Sequence, residues 1–210
     1  MGYRPRGTMM GALIVLAVAA CTQSRETVLK QIHGVQVTPV RAKPDFTLQS
    51  TDGKTFHFAH DTHDTATLLY FGYTNCPDAC PDQLNKIASA YDKLTPAQKS
   101  KIRVVFVTTD PNRDTPERLR SWLDNFSKDF IGLRGGTDQV NRVQAEFGLP
   151  PAEIETMDDS TPGPHEMKYG VGHAAQVLAF TPDDSLRVEY PAGFTVADWS
   201  NDLPRLIEVR

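Results

Sequence analysis

At 210 residues, with 40% hydrophobic and 23% charged side chains, the chain has the length and composition of one globular domain with its own core. Its formal net charge of −4 at pH 7 becomes more negative once Arg4 and Arg6 of the N-terminal leader are set aside, which excludes the basic footprint of a nucleic-acid-binding protein. The sequence holds no internal repeats.

Residues 1–20 read as a secretory leader. Arg4 and Arg6 precede the uncharged run Met9 to Ala20, which ends on the small residues Ala19 and Ala20. That run is shorter than the roughly 20 residues a membrane-spanning helix needs, so a permanent transmembrane anchor is not expected. Val18-Ala19-Ala20-Cys21 resembles the bacterial lipobox, in which the cysteine becomes the lipidated first residue of the mature protein. Acyl chains there would hold firmly, since each buried methylene contributes about 0.8 kcal/mol. The expected organisation is a lipoprotein signal at 1–20, a tether from lipidated Cys21 over 21–40, and one domain over 41–210. The protein is expected on the membrane, facing the periplasm. In such an oxidising compartment a structural disulfide would be the default for the two other cysteines, but their spacing argues against it.

Residues 22–40 are polar with no sustained period, as a tether should be. Phe46 to Ser50 alternates and runs into the turn signal Asp52-Gly53, after which Thr55 to Phe58 is expected to pair back as a hairpin. Thr67 to Tyr73 is a continuous apolar and aromatic run, the mark of a buried central strand. Beyond Pro77 the period turns helical, with Cys80, Leu84, Ile87, Tyr91 and Leu94 on one stripe. Ile102 to Thr108 is a second buried strand, and Thr115-Pro116 opens a helix carrying Leu119, Trp122, Leu123 and Phe126. A short strand at Ile131 to Leu133, a helix from Thr137 to Phe147, strands at Gln176 to Phe180 and Leu186 to Tyr190, and a helix from about Val196 complete the pass. Pro150 to Gly172 has no clear period, which marks a functional or disordered connection. This order is thioredoxin-like. It implies an α/β fold with a central mixed sheet flanked by helices, an added N-terminal β-hairpin, and a working loop at the carboxyl end of a central strand.

The working loop is Phe71-Gly72-Tyr73-Thr74-Asn75-Cys76-Pro77-Asp78-Ala79-Cys80-Pro81. Two cysteines four apart lie on one side of a first helical turn, about 6 Å apart along its axis, so their sulfurs can converge. A helix start favours negative charge, and each thiol is expected to ionise more readily than a free one of pKa about 8.5. Redox enzymes of this fold normally carry Cys-x-x-Cys, and the third intervening residue here weakens a purely disulfide reading. Two thiolates suit Cu(I), and one added imidazole makes a mixed site that also holds Cu(II). The candidate imidazole is His173, in Tyr169-Gly170-Val171-Gly172-His173-Ala174-Ala175, read as opening the penultimate strand.

Phe-Gly-Tyr-Thr-x-Cys-Pro-Asp-x-Cys-Pro resembles the signature of the Sco/SenC family. Thr109-Asp110-Pro111-Asn112-Arg113-Asp114-Thr115-Pro116 resembles that family's second block. The resemblance covers about Phe46 to Arg210. It implies copper bound by Cys76, Cys80 and His173. It also implies delivery to, or thiol reduction of, the dinuclear copper centre of cytochrome c oxidase. The partner would be the copper-bearing oxidase subunit or another copper protein, and the role that of a chaperone rather than an enzyme. One departure stands out: the family usually places an acidic residue before that histidine and a serine after it, whereas Gly172 and Ala174 flank it here. Side-chain hydrogen bonds that orient the imidazole are then expected to be missing.

Other residues offer weaker candidates. His57, His60 and His63, with Asp61 and Asp64 among them, read as an exposed connection rather than a second metal site. His165 and Met167 are auxiliary ligand candidates in what reads as a solvated loop. Asp110 ends a buried strand near the site and is a candidate either to tune it or to hydrogen-bond within the loop, Asp114 is expected to help cap the next helix, and Asp78 reads either as attracting a cationic partner or as favouring the helix start. The competing function is an extracytoplasmic thiol-disulfide oxidoreductase in which one cysteine attacks a partner disulfide and the other resolves the mixed species.

Overall fold

The computed structural model describes residues 25–156 and 169–209. The leader and Cys21, together with His165 and Met167, lie outside the described residues. Strand β4 (Ala66–Gly72) is buried along its whole length, as its unbroken apolar run requires. It pairs in parallel with β5 (Ile102–Thr108), and β5 pairs in parallel with β6 (Ile131–Arg134). On its other side β4 pairs antiparallel with β9 (Val177–Thr181), which continues to β10 (Ser185–Tyr190) and then β1 (Val35–Ala42). The expected hairpin, β2 (Thr47–Ser50) and β3 (Thr55–His57), attaches beyond β6. The mixed eight-stranded sheet therefore runs β1-β10-β9-β4-β5-β6-β2-β3.

Beside helical residues at 25–29, the helices that accompany it are α1 (Phe58–Asp61), α2 (Ala79–Tyr91), α3 (Pro96–Lys99), α4 (Pro116–Leu123), α5 (Thr137–Glu146) and α6 (Val196–Leu206). Alternate residues of β4 feed the two faces. Leu68 and Tyr70 join Cys80, Leu84 and Ile87 of α2 and Trp199 and Leu203 of α6 in one core. Leu69 and Phe71 join Phe58, Val140, Val143 and Phe147 in the other. Each such side chain contributes about 1.5–3 kcal/mol by leaving water, and the two cores fix β4 and the start of α2 from both sides. The fold is thioredoxin-like, with helices on both faces of a central mixed sheet.

Several places differ from the sequence reading, among them the short helices α1 and α3, which it did not contain. The sheet takes in Val35 to Ala42, in the stretch that polarity marks as tether, because β1 is held by its backbone ladder to β10 while most of its side chains stay exposed. The segment before it is stapled down: buried Asp202 of α6 accepts from the His33 and Gly34 amides at 2.9 Å and from the Tyr190 hydroxyl at 2.9 Å. The long connection after α5 also holds structure, since β7 (Glu153–Thr156) and β8 (Tyr169–Gly172) form a separate antiparallel pair. Four-residue strands, one of them Tyr-Gly-Val-Gly, are too short and too glycine-rich to show a period. His173 follows β8 and precedes β9, so it stands in a connection and does not open a strand.

Candidate metal centre

The cysteine loop leaves β4 at Gly72 and enters α2 at Ala79. A Cβ at Gly72 would lie 2.7 Å from the Cys80 sulfur and 3.0 Å from Phe106, so the missing side chain is what lets the sulfur rest on the strand. Cys80 is buried and Cys76 half-buried, and both are free thiols. The Cys80 amide donates to the Cys76 sulfur at 3.3 Å.

The loop is held from the second block. Asp114, fully buried, accepts from the Thr74 amide at 3.0 Å, the Thr74 hydroxyl at 2.5 Å and the Thr108 hydroxyl at 2.5 Å. Burial pushes its carboxyl up, and these donors pull the other way. Arg118 adds a bond to the Thr74 hydroxyl at 3.0 Å and pairs with the Asn75 side chain. Asp114 is thus not a helix cap. That task falls to Thr115, whose hydroxyl accepts from the Arg118 amide at 3.2 Å.

His173 arrives from β8. Its Nε2 lies 3.4 Å from the Cys80 sulfur, and its Nδ1 lies 3.0 Å from the Ala174 carbonyl oxygen. A carbonyl only accepts, so Nδ1 carries the proton and Nε2 presents its lone pair to the sulfurs. The orientation that the neighbouring side chains of Gly172 and Ala174 do not supply comes from the backbone. The rings of Tyr73 and Tyr70 flank the imidazole edge-on at 5.7 and 6.3 Å between centroids. The Cys76 and Cys80 sulfurs and a His173 nitrogen all lie within 4.8 Å of one another, the one group of three among the described residues placed to hold a metal ion.

Residues 36–208 match the family model SCO1/SenC. The chain belongs to the SCO1/SenC family. It is 30% identical to a Stutzerimonas stutzeri protein named for copper binding, over 96% of each chain. Copper-bound ScoI from Arabidopsis thaliana superposes with a TM-score of 0.68 at 27% identity, covering 80% of this chain and 99% of that one. Copper-bound ScoI from Bradyrhizobium japonicum gives 0.66 at 25%, covering 79% and 99%.

The electrostatics of this SCO1/SenC site are asymmetric. The Cys76 thiol is lowered to about 4, first by the hydrogen bond from the Cys80 thiol and against the effect of its own burial, with the Cys80 and Asp78 amides assisting. Cys80 is pushed upward by that same shared hydrogen bond, then by burial and by the Cys76 charge. The helix start was expected to acidify both. Two sulfurs in contact instead keep one proton between them, and the buried one retains it.

The remaining candidates sort clearly. Asp110 is buried and pairs with Arg113 and with the Tyr169 hydroxyl at 3.0 Å, one step from the histidine strand rather than on a ligand. Asp78 is exposed and makes no capping bond from its side chain. His57 meets the Thr47 hydroxyl, His60 meets Asp61, and His63 meets Asp184 and Asp64. The three histidines form no shared site. What residue patterns missed is the support: Asp114 reads locally as a cap, and Arg118 and Tyr169 carry no local signal of the bonds they make across the site.

Proposed function

We propose that this SCO1/SenC chain binds one copper ion, as Cu(I) or Cu(II), through Cys76, Cys80 and His173, and hands it to a partner by ligand exchange. The partner is the copper-bearing subunit of a cytochrome c oxidase or another copper protein. Cys21 carries the lipid that holds the domain to the membrane on its periplasmic side, with residues 1–20 removed as signal and residues 21 onward leading into the domain.

The observation that carries this reading is the convergence of two thiol sulfurs and a His173 nitrogen within 4.8 Å, with Nε2 3.4 Å from the Cys80 sulfur. Bonds of about 2.0 Å to imidazole and 2.3 Å to thiolate, as zinc makes, would set such donors some 3.5–4 Å apart. Two soft donors and one borderline donor select copper over the hard cations. Cys76 is the ready thiolate, Cys80 gives up its proton when an ion replaces it, and His173 offers Nε2 because its Nδ1 proton is already engaged. The copper-bound relatives from Arabidopsis thaliana and Bradyrhizobium japonicum support the choice of metal.

A second reading has one specific observation behind it, the acidified and half-exposed Cys76 beside a free Cys80 thiol. In it the Cys76 thiolate attacks a partner's disulfide, releasing one partner thiolate, and Cys80 then displaces the other as the Cys76–Cys80 disulfide closes. Anaerobic Cu(I) titration of the reduced chain against a competing chelator separates the two. One retained Cu(I) per chain supports the copper reading, whereas no retained copper with a readily cycled disulfide overturns it in favour of the second.

A further inference from the structure

We infer that Asp110, Arg113 and Tyr169 form a clamp that positions His173 and thereby sets the Cu(II) form of the site separately from the Cu(I) form. The inference rests on the copper reading above.

His173 follows directly on β8, and β8 pairs with β7 rather than with any strand of the main sheet. The main-sheet ladder therefore does not fix where the histidine stands relative to the cysteines before β9 begins. Side chains from the second block do so. The Arg113 Nη1 donates to the Tyr169 carbonyl oxygen at 3.0 Å, and its guanidinium lies 3.6 Å from the centroid of the Tyr169 ring. Asp110 closes the circuit. One carboxylate oxygen pairs with Arg113 Nε and the other accepts from the Tyr169 hydroxyl at 3.0 Å. The same guanidinium lies 5.7 Å from the Tyr73 ring, whose edge contacts the His173 imidazole. Arg113 thus joins the histidine strand to the cysteine loop, and it does so with little exposure: its side chain is 14% exposed and that of Asp110 is 3%.

A planar fork that donates, pairs and stacks at once fixes position and angle together, which a lysine cannot reproduce. The cysteines have their own support in α2 and Asp114, so loosening the clamp moves the nitrogen donor and leaves the sulfurs in place. Cu(I) tolerates two thiolates alone, whereas Cu(II) needs the borderline nitrogen. Removing groups that orient a metal-bound histidine typically costs about 10–100-fold in affinity.

The test uses the full-length chain with Arg113→Ala, Arg113→Lys and Tyr169→Phe. In the copper-free protein, amide hydrogen exchange over Gly170 to Gly172 is expected to quicken about tenfold in Arg113→Ala while β4 stays protected. With copper, Cu(I) affinity is expected within about twofold of wild type and Cu(II) affinity to fall about 10–100-fold, with a shifted sulfur-to-Cu(II) charge-transfer band. Arg113→Lys, which keeps the charge and loses the fork, and Tyr169→Phe, which keeps the stack and loses one bond, should fall between; they carry the test if Arg113→Ala does not fold. Unchanged exchange over β8 in all three variants overturns the clamp whatever copper does. Equal losses of Cu(I) and Cu(II) overturn it too, by showing a general structural role. A wild-type chain that binds no copper, with exchange over β8 still responding to Arg113→Ala, overturns the copper reading and the tuning with it, but not the clamp.

Discussion

The two halves of the candidate centre are held in different ways. The cysteine loop sits between a fully buried strand and the start of a long helix, with Asp114 taking three hydrogen bonds from Thr74 and Thr108 beneath it. The histidine follows a four-residue strand outside the main sheet, is half-buried, and keeps its orientation through one backbone carbonyl and two ring edges. A centre with two fixed soft donors and one adjustable borderline donor can change coordination between oxidation states without disturbing the core. The division of labour is therefore visible in how each donor is supported as well as in which atoms they offer.

The comparison breaks first if the fixed half proves dispensable. Cys76→Ser and Cys80→Ser are each expected to abolish stable copper binding while leaving the domain folded, because a neutral hydroxyl is a hard and poor donor to Cu(I). Metal analysis and circular dichroism of the purified variants check this, and full copper occupancy in either would sink the three-donor account.

The asymmetry between the two sulfurs gives a pH profile. The thiolate is the reactive form, so alkylation of Cys76 in the folded, reduced protein should rise through about pH 4 and stay level to neutrality. In urea it should rise only near pH 8.5. The lowered folded pKa means that this group favours the folded state most above its unfolded value, and that the contribution is lost as pH falls from there through about 4. A folded-state midpoint near 8.5, read by mass spectrometry of quenched samples, would contradict the shared-proton geometry.

Asp114→Ala sharpens the comparison by loosening the fixed half alone. It strands the Thr74 and Thr108 donors in a buried site and should cost about 2–4 kcal/mol in urea unfolding. A loss under about 0.5 kcal/mol, the range of ordinary surface substitutions, would show that the loop does not depend on it.

The adjustable half shows itself in one oxidation state alone, with the fold and Cu(I) binding barely touched. His173→Ala should retain Cu(I) on the thiolate pair and lose or severely weaken Cu(II), by more than the about 10–100-fold that follows from removing groups which only orient the ring, with loss of the wild-type charge-transfer spectrum. Identical Cu(II) spectra in the two proteins would remove His173 from the site.

What was legible in the sequence follows the same division. β4, β5 and the α2 stripe announced themselves because their burial is written in local periodicity, and the cysteine pair because its spacing is local too. His173 is a candidate from its place after the long irregular segment, but its assignment as a ligand leans on family resemblance, since a histidine among glycines and alanines carries no period and its contact with Cys80 spans 93 residues. β1 was read as tether because it is held by backbone bonds and leaves most of its side chains in water. Asp114 looked like a cap because it stands beside Thr115, and only tertiary contact shows it turned inward toward Thr74. The rise at Cys80 was missed for the same reason: a helix-start argument treats each thiol alone, whereas contact between the two sulfurs decides which keeps the proton.

X-ray absorption at the copper edge, on the full-length chain loaded with one equivalent of Cu(II), tests the central claim most directly. The account predicts two sulfur scatterers at about 2.3 Å and one imidazole nitrogen at about 2.0 Å, with the sulfur count falling in Cys76→Ser and the nitrogen lost in His173→Ala. A first shell of nitrogen and oxygen alone, or a shell unchanged by those substitutions, would place the copper elsewhere and contradict it.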